Sequence, residues 1–485
     1  MKINTLAAIV IPAYILSIMV SLFLIGRKVK NYKDFALGGG TLPWYVVAAS
    51  ATAATIGGGT IIGYVGSYYN FGMQWAWMGI CATCTSLYVG LFIAQRVRKL
   101  NQYTVPDMFA LRYGDGTRMI TAVLIIMGDF AVFCASLASF SAVLSGYVGL
   151  SAGASLLISA IIFMICANLG GMKGLAWTDL IQTILILGGI LLVGAIAFFS
   201  AGGFKGISSL GSNMTSLFAA NIPVSKMVGN IVALCCMTFV SQSLVMQKIN
   251  SAKNPEHAKK AFIASSIAVG IAIVFCISSM GLSSKVLFGE GLRADNVITT
   301  LLNSMPPVIA AIYCAAIVAA ILTTGNAMLI SSSMNLSVDI VKRFNKNIDD
   351  KKLMLCGRIY ILAAGILGYV LVKFRPDVIS WIILCYTIQS CLIVPLYGGL
   401  LFKKPNNASG TCSLLFAGLS MLIWEMLKQP FGIHSAYIAI GTGIIGIFFG
   451  LVISKKQATA EQIAAVDAFR NNQEYKVGSG MQQSI

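Results

Sequence analysis

Windows of about 20 mostly apolar residues, each long enough to cross a hydrocarbon core about 30 Å thick, recur along almost the whole of this chain, separated by short loops. Few folds accept such segments. In lipid every backbone N–H and C=O needs a partner within the protein, so the spans are expected to be helices. Thirteen are predicted, at about 5–26, 43–69, 71–95, 119–147, 151–170, 174–199, 226–246, 261–283, 307–340, 353–374, 377–402, 408–428 and 433–453. The first lacks a basic leader and a small-residue cleavage site, and Arg27, Lys28, Lys30 and Lys33 follow it, so it reads as a retained helix rather than a signal peptide. The balance of residues agrees, with 57% apolar and 10% charged, against about a quarter charged in an average soluble domain. The fold class expected is an all-α membrane protein.

A net charge of +18 raises the question of nucleic acid, and its distribution answers it. The basic residues gather on one side of the predicted membrane: Arg96, Arg98 and Lys99, then Lys248, Lys253, Lys259 and Lys260, then Lys342, Arg343, Lys346, Lys351 and Lys352, and the tail. That asymmetry is the positive-inside bias of a cytoplasmic membrane protein, with the N-terminus outside and the C-terminus cytoplasmic. Nucleic acid is excluded, the bilayer is the partner, and no obligate protein partner is inferred. All twelve cysteines fall within apolar spans and read as small hydrophobes, the Cys81–Cys84 pair included. His257 and His434 lie near loops with no metal-ligand pattern around them. No segment between spans is long enough for a folded domain, so residues 1–453 form one transmembrane unit and 454–485 a cytoplasmic tail. In the tail, Ile463, Ala464, Val466 and Phe469 suggest one apolar side of a surface helix.

Two spans are chemically unusual. The second carries Ser50, Thr52 and Thr55 and then Gly57, Gly58 and Gly59; the ninth carries Thr323, Thr324, Gly325 and Asn326, then Ser331, Ser332 and Ser333. An unwound segment in lipid frees carbonyls that need partners, which suggests a cavity with a ligand or ion, whereas close packing at small residues explains many membrane glycines. Both readings stand for the glycine run. In the ninth span Ala320, Thr323 and Thr324 share one helical face, and two hydroxyls with the carbonyls of a broken partner helix suit a small hard cation. A GxGxxG at Gly441, Gly443 and Gly446 lies inside the last span with no strand before it, and reads as packing.

Acids at membrane depth are costly and default to function. Asp129 lies well inside the fourth span, with Phe133, Ser136 and Phe140 along its stripe. It suits an organic cation bound by charge and ring faces, or equally a protonated acid hydrogen-bonded to another helix. Asp179, after Trp177 and Thr178, fits an ion pathway, a helix cap or a cytoplasmic gate. Glu425 reads as a snorkelling partner of Lys428.

The sequence resembles the sodium:solute symporter family over about 35–401. The stretches that carry the resemblance are Phe35 to Gly40 (FALGGG), Ser50 to Gly63 (SATAATIGGGTIIG), Gly174 to Gln182 (GLAWTDLIQ), Gln247 to Asn254 (QKINSAKN) and Ala319 to Asn326 (AAILTTGN). The resemblance implies a LeuT-type core of two inverted five-helix repeats, here about 43–199 and 226–402, that couples a small organic solute to sodium at broken helices near the midplane. It implies a sodium site made by carbonyls of Ala53 and Ile56 with the Ala320 carbonyl and the Thr323 and Thr324 hydroxyls. Asn326 and Ala327 stand where members with a second sodium place hydroxyls, although Asp179 is kept, so one sodium per cycle is expected.

By the same resemblance the solute pocket is lined by Thr55 and Gly57, Gln74 and Trp75, Asp129 and Phe133, and Phe239 and Gln242. Cys235 and Thr55 replace tryptophans of proline-type and choline-type members. A sensor on the same core would carry a signalling domain after the last helix, where about 30 residues follow. An enzyme would need a catalytic constellation, and the sequence offers none. Proton coupling, through Asp129 and Asp179, is the alternative ion chemistry.

Overall fold

The computed structural model describes residues 5–27, 35, 38–102, 104–236, 243–345 and 347–475. Among the described residues the regular elements are helices, and eleven helical stretches are long and apolar enough to cross a membrane. The remaining two of the thirteen expected spans are the ones the structure divides. The first span is α1 (Thr5–Gly26) and the second is α2 (Trp44–Thr55), followed after a break by a helical stretch that leads into α3 (Tyr64–Phe71). Twelve residues of helix rise about 18 Å, too little to span alone. The third span begins at Trp75 and runs through α4 (Ala76–Tyr88) to Lys99. The seventh span enters as α8 (Val224–Cys236) and leaves as α9 (Ser243–Ser251). Phe239 and Gln242, expected to line the solute pocket, lie between these two, outside the described residues.

The other elements used below are α5 (Val105–Tyr113), a short helix between spans, then α6 (Asp115–Val143) and α7 (Ala152–Ser200). They continue with α10 (Pro255–Gly270), α11 (Pro307–Met334), α12 (Asp350–Phe374) and α13 (Val378–Ser390). Last come α14 (Asn407–Met426), α15 (Ser435–Ile453) and α16 (Ala460–Arg470). The fifth and sixth spans are the two halves of α7, separated at Gly171. Its φ of +55° and ψ of −176° suit glycine, and a Cβ there would lie 2.9 Å from the Phe35 ring.

Burial separates core from periphery. The apolar window containing α11 is 83% buried, against 17% for the N-terminal helix Ala8–Gly26 and 28% for α15. The ninth span is therefore the axis around which the others pack, and the terminal spans face lipid on most of their surface. At one end of the bundle the backbone ahead of α2 pairs with the backbone leaving α9: Leu42 N–H donates to the Ser251 carbonyl and Lys253 N–H to the Leu42 carbonyl, both at 2.9 Å. The entry to the broken second span is thereby tied to the exit of the seventh.

The tail helix α16 lies against this same end. Its buried residues are Gln462, Ala465, Val466, Ala468 and Phe469, whereas Ala464 is exposed, so the apolar side is rotated from the one the sequence suggests. Lys403 pairs with Asp467 at 2.7 Å, and Lys99 Nζ donates to the Asn472 carbonyl at 2.7 Å.

Candidate functional site

The break in the second span follows from its glycines. Ile56 leaves the helix with φ −89° and ψ 68°, and helical hydrogen bonding resumes when Ile61 N–H donates to the Gly57 carbonyl at 3.0 Å. A Cβ on Gly57 would fall 2.4 Å from Thr324 Oγ1, one on Gly58 2.6 Å from both Ile321 and Ser139, and one on Gly59 2.0 Å from Ile382. The glycines thus admit α11 at Gly57, α11 and α6 at Gly58, and α13 at Gly59 to the backbone. Both readings of the run hold together: the small residues pack closely, and the chain unwinds where they do so.

The unwound carbonyls meet the hydroxyl face of α11. Thr323 Oγ1 donates to the Ala53 carbonyl at 3.1 Å, and Thr324 Oγ1 to Ala54 at 3.0 Å, with Ala53 at 3.5 Å. Both hydroxyls also reach the Ala320 carbonyl, at 3.0 and 3.1 Å. Ile56 sits at the break itself. A hard cation holding oxygens at about 2.3–2.6 Å and right angles separates neighbours by about 3.3–3.7 Å, close to these spacings. A hydroxyl offers two lone pairs besides its proton, so each threonine can keep a backbone bond while facing an ion. Of the oxygens expected from the sequence, those of Ala53, Ala320, Thr323 and Thr324 converge, and Ala54 adds a carbonyl the sequence did not single out.

A cavity of about 130 Å³ opens beside this cluster, lined by Thr55, Gly57, Ser136, Thr324 and Tyr386, and extending down to Lys248. Lys248 is 2% exposed, a correction to its place among the loop charges. Its ammonium lies 3.5 Å from the carboxylate of Asp179, itself 1% exposed. Ser50 on the broken helix accepts from Lys248 and donates to Asp179. Asp179 is therefore no helix cap; it belongs to a buried three-residue bridge joining α2, α7 and α9. Sequence reasoning missed the lysine because a long side chain near the end of a span can reach water as easily as a buried partner.

A second cavity, of about 410 Å³, lies at the opposite end of the bundle. That size is within the usual range for ligand pockets, about 300–1,000 Å³, and the inner cavity is below it. Tyr64 lines the inner cavity and Trp75 the outer one, and their rings meet edge-on at 5.6 Å. An aromatic seam thus separates the two.

Thr55 and Gly57 line the inner cavity and Trp75 the outer, while Gln74 is occupied with both backbone polar groups of Ile222, at 3.0 and 2.8 Å. Asp129 and Phe133 line neither. Asp129 is 0% exposed, accepts from Ser331 Oγ at 2.7 Å and Gln389 Nε2 at 3.4 Å, and forms no ion pair among the described residues. Phe133 packs edge-on against Phe163 at 5.4 Å. Of the two sequence readings of Asp129, the geometry fits the acid hydrogen-bonded to other helices. Glu425 also departs from expectation. It accepts from Gln429 at 3.0 Å and Ser435 at 2.6 Å and lines the outer cavity, rather than pairing with Lys428.

Comparison with known proteins agrees with this architecture. The model of the sodium:solute symporter family matches residues 35–418. The chain is 24% identical to the sodium/proline symporter of Escherichia coli (strain K12), covering 95% of this chain and 96% of that protein. It is also 24% identical to the sodium/glucose cotransporter of Vibrio parahaemolyticus, over 82% and 76% of the two chains. Among solved structures, an outward-open, substrate-bound Na+-coupled sialic acid symporter superposes with a TM-score of 0.81 at 18% identity, covering 94% of this chain and 98% of that one. The nucleobase-cation-symport-1 family transporter Mhp1 gives 0.57 at 14% identity, covering 89% and 98%. The fold is the LeuT type.

Proposed function

Because the chain belongs to the sodium:solute symporter family, we propose that it carries a small organic solute across the cytoplasmic membrane together with sodium, by alternating access and with one sodium per cycle. The observation that carries this reading is the meeting of the Ala53 and Ala54 carbonyls with the Thr323 and Thr324 hydroxyls and the Ala320 carbonyl, all at 3.0 to 3.5 Å, at the break of a membrane helix. These are neutral oxygens, suited to a desolvated hard monovalent ion. The five sodium ligands are the oxygens of Ala53, Ile56, Ala320, Thr323 and Thr324. Coupling follows because an ion shared between α2 and α11 favours the state in which those helices are close, and through it the solute-competent shape of the cavity. The Ser50–Asp179–Lys248 bridge supports the single-sodium stoichiometry, since an ammonium already neutralises the acid that a second ion would need. The N-terminus is outside, and the end bearing Leu42, Ser251 and the tail is cytoplasmic.

One sodium crossing about 100 mV contributes about 2.3 kcal/mol, and a tenfold concentration ratio adds about 1.4. Together they sustain accumulation of a few hundredfold for a neutral solute. In proteoliposomes offered radiolabelled proline, glucose and pantothenate, an inward sodium gradient is expected to drive uptake of the transported solute, and an inside-negative potential to increase it. Potassium in place of sodium abolishes accumulation. Robust uptake on a proton gradient without sodium would overturn the sodium assignment and transfer the coupling role to Asp129 and Asp179.

A further inference from the structure

The outer cavity has more hydrogen-bond donors than its walls can use. Trp75 is 3% exposed, and its indole N–H, a donor only, has no partner among the described residues. His434 is 1% exposed; its Nδ1 accepts the Ala436 N–H at 3.2 Å, which leaves the ring proton on Nε2, and that atom also has no partner among the described residues. An unmade hydrogen bond at a buried donor costs about 1–3 kcal/mol. Both residues line the cavity, and the two nitrogens are buried in its wall, so an acceptor that enters this wall would satisfy both.

Charge says which acceptor. Lys226 and Arg375 stand in the lining, exposed, with no carboxylate paired to either among the described residues. Glu425, the acid among the lining residues, already accepts from Gln429 and Ser435. Asp377, beside Arg375 in sequence, is committed to capping α13 by accepting from Ser380 N–H and its hydroxyl. The lining thus carries two positive charges against the one negative charge of Glu425, with two buried neutral donors besides. Water can meet single donors, but it does not answer the charge imbalance; an anion answers both.

We propose that the outer cavity is a capture site for the carboxylate of an organic solute, held by Lys226 and Arg375 at the rim and by Trp75 Nε1–H and His434 Nε2–H in the wall. The inference rests on the symport reading and names the substrate class for it. Trp75 touches Tyr64 of the inner cavity, so a solute held here waits directly behind the aromatic seam. Inorganic anions share the same chemistry, and the test separates them.

Purified full-length protein in nanodiscs is titrated with matched pairs, D-glucuronate against D-glucose and pantothenate against panthenol, with L-proline and acetate as further carboxylates. Tryptophan fluorescence and calorimetry follow binding. A saturable change with at least one carboxylate, absent with its neutral counterpart, is expected. The double variant Lys226→Gln/Arg375→Gln weakens it by at least about tenfold, and Trp75→Phe, which keeps an aromatic ring but loses the N–H with the five-membered ring that bears it, also weakens it by calorimetry. No carboxylate binding, equal binding of the neutral partners, indifference to the double variant, or competition showing that only chloride or phosphate occupies the site each overturns the proposal. Sodium-driven uptake measured in parallel keeps the two readings apart. Uptake of glucose without carboxylate binding defeats the capture site and leaves symport standing, whereas carboxylate binding without sodium-driven uptake of any probe does the reverse.

Discussion

Thr324→Ala removes one oxygen from the proposed ion site with little other disturbance. The side chain is buried, its hydroxyl is 3.0 Å from the Ala54 carbonyl and 3.1 Å from Ala320, and Gly57 faces it across the break. Alanine keeps the helix, since α11 continues for ten residues beyond it and alanine has the highest helix propensity. The loss is therefore the ion contact and a small cavity where the hydroxyl and methyl were. A hydrogen bond to a charged group contributes about 1.5–3 kcal/mol, and taking an ion–hydroxyl contact as comparable, the half-saturating sodium concentration should rise by about tenfold to a hundredfold. Thr324→Ser keeps the oxygen and should shift it by less than about threefold. The assay is initial-rate uptake in proteoliposomes across a sodium titration, normalised to protein inserted, so that a folding defect registers as lower abundance rather than altered affinity. Half-saturation unchanged in the alanine variant, or changed equally in the serine variant, would refute the reasoning.

Three further outcomes are expected. Lys248→Met strands the Asp179 carboxylate in the bundle and should cost about 3–5 kcal/mol, while Lys248→Met/Asp179→Leu recovers most of it; thermal unfolding in detergent measures both, and a single variant as stable as the parent removes the bridge from the account. Asp129→Asn preserves shape and can donate to the unpartnered Gln389 Oε1, so sodium half-saturation and melting temperature should change little, whereas Asp129→Ala should destabilise by about 1–3 kcal/mol; a severe transport defect in the asparagine variant would instead mark a charge that is used. Burial lowers the His434 pKa below its ordinary 6.5, with Glu425 opposing and Lys226 reinforcing the shift. The unfolded chain then takes up the proton first, so stability is level above about pH 6.5 and falls below it, by at most about 1.4 kcal/mol per pH unit; melting curves of the parent and His434→Gln should diverge only on the acid side.

Much of this molecule is legible along the chain. Apolar length dictates helices across a bilayer, because hydrocarbon leaves the backbone no other way to satisfy its polar groups. The bias of lysine and arginine supports the proposed orientation. Gly57 to Gly59 mark the break, and the spacing of Ala320, Thr323 and Thr324 marks the hydroxyl face that meets it, since both are local patterns of three or four residues. The local pattern also has clear limits. It put Lys248 in a loop and left Asp129 open between a solute and a neighbouring helix, because hydropathy says how deep a residue lies and is silent about which neighbour it meets.

Tertiary structure decided the rest. Asp179 is neutralised by a lysine 69 positions away, and Trp75, Lys226, Arg375 and His434 come from four separate parts of the chain to line one cavity. The physical reason is that a buried charge or an unpaired donor is settled by whatever group packing brings within about 3–4 Å of it. Helix periodicity carries that information only within a few turns. Between helices it exists only once they have packed.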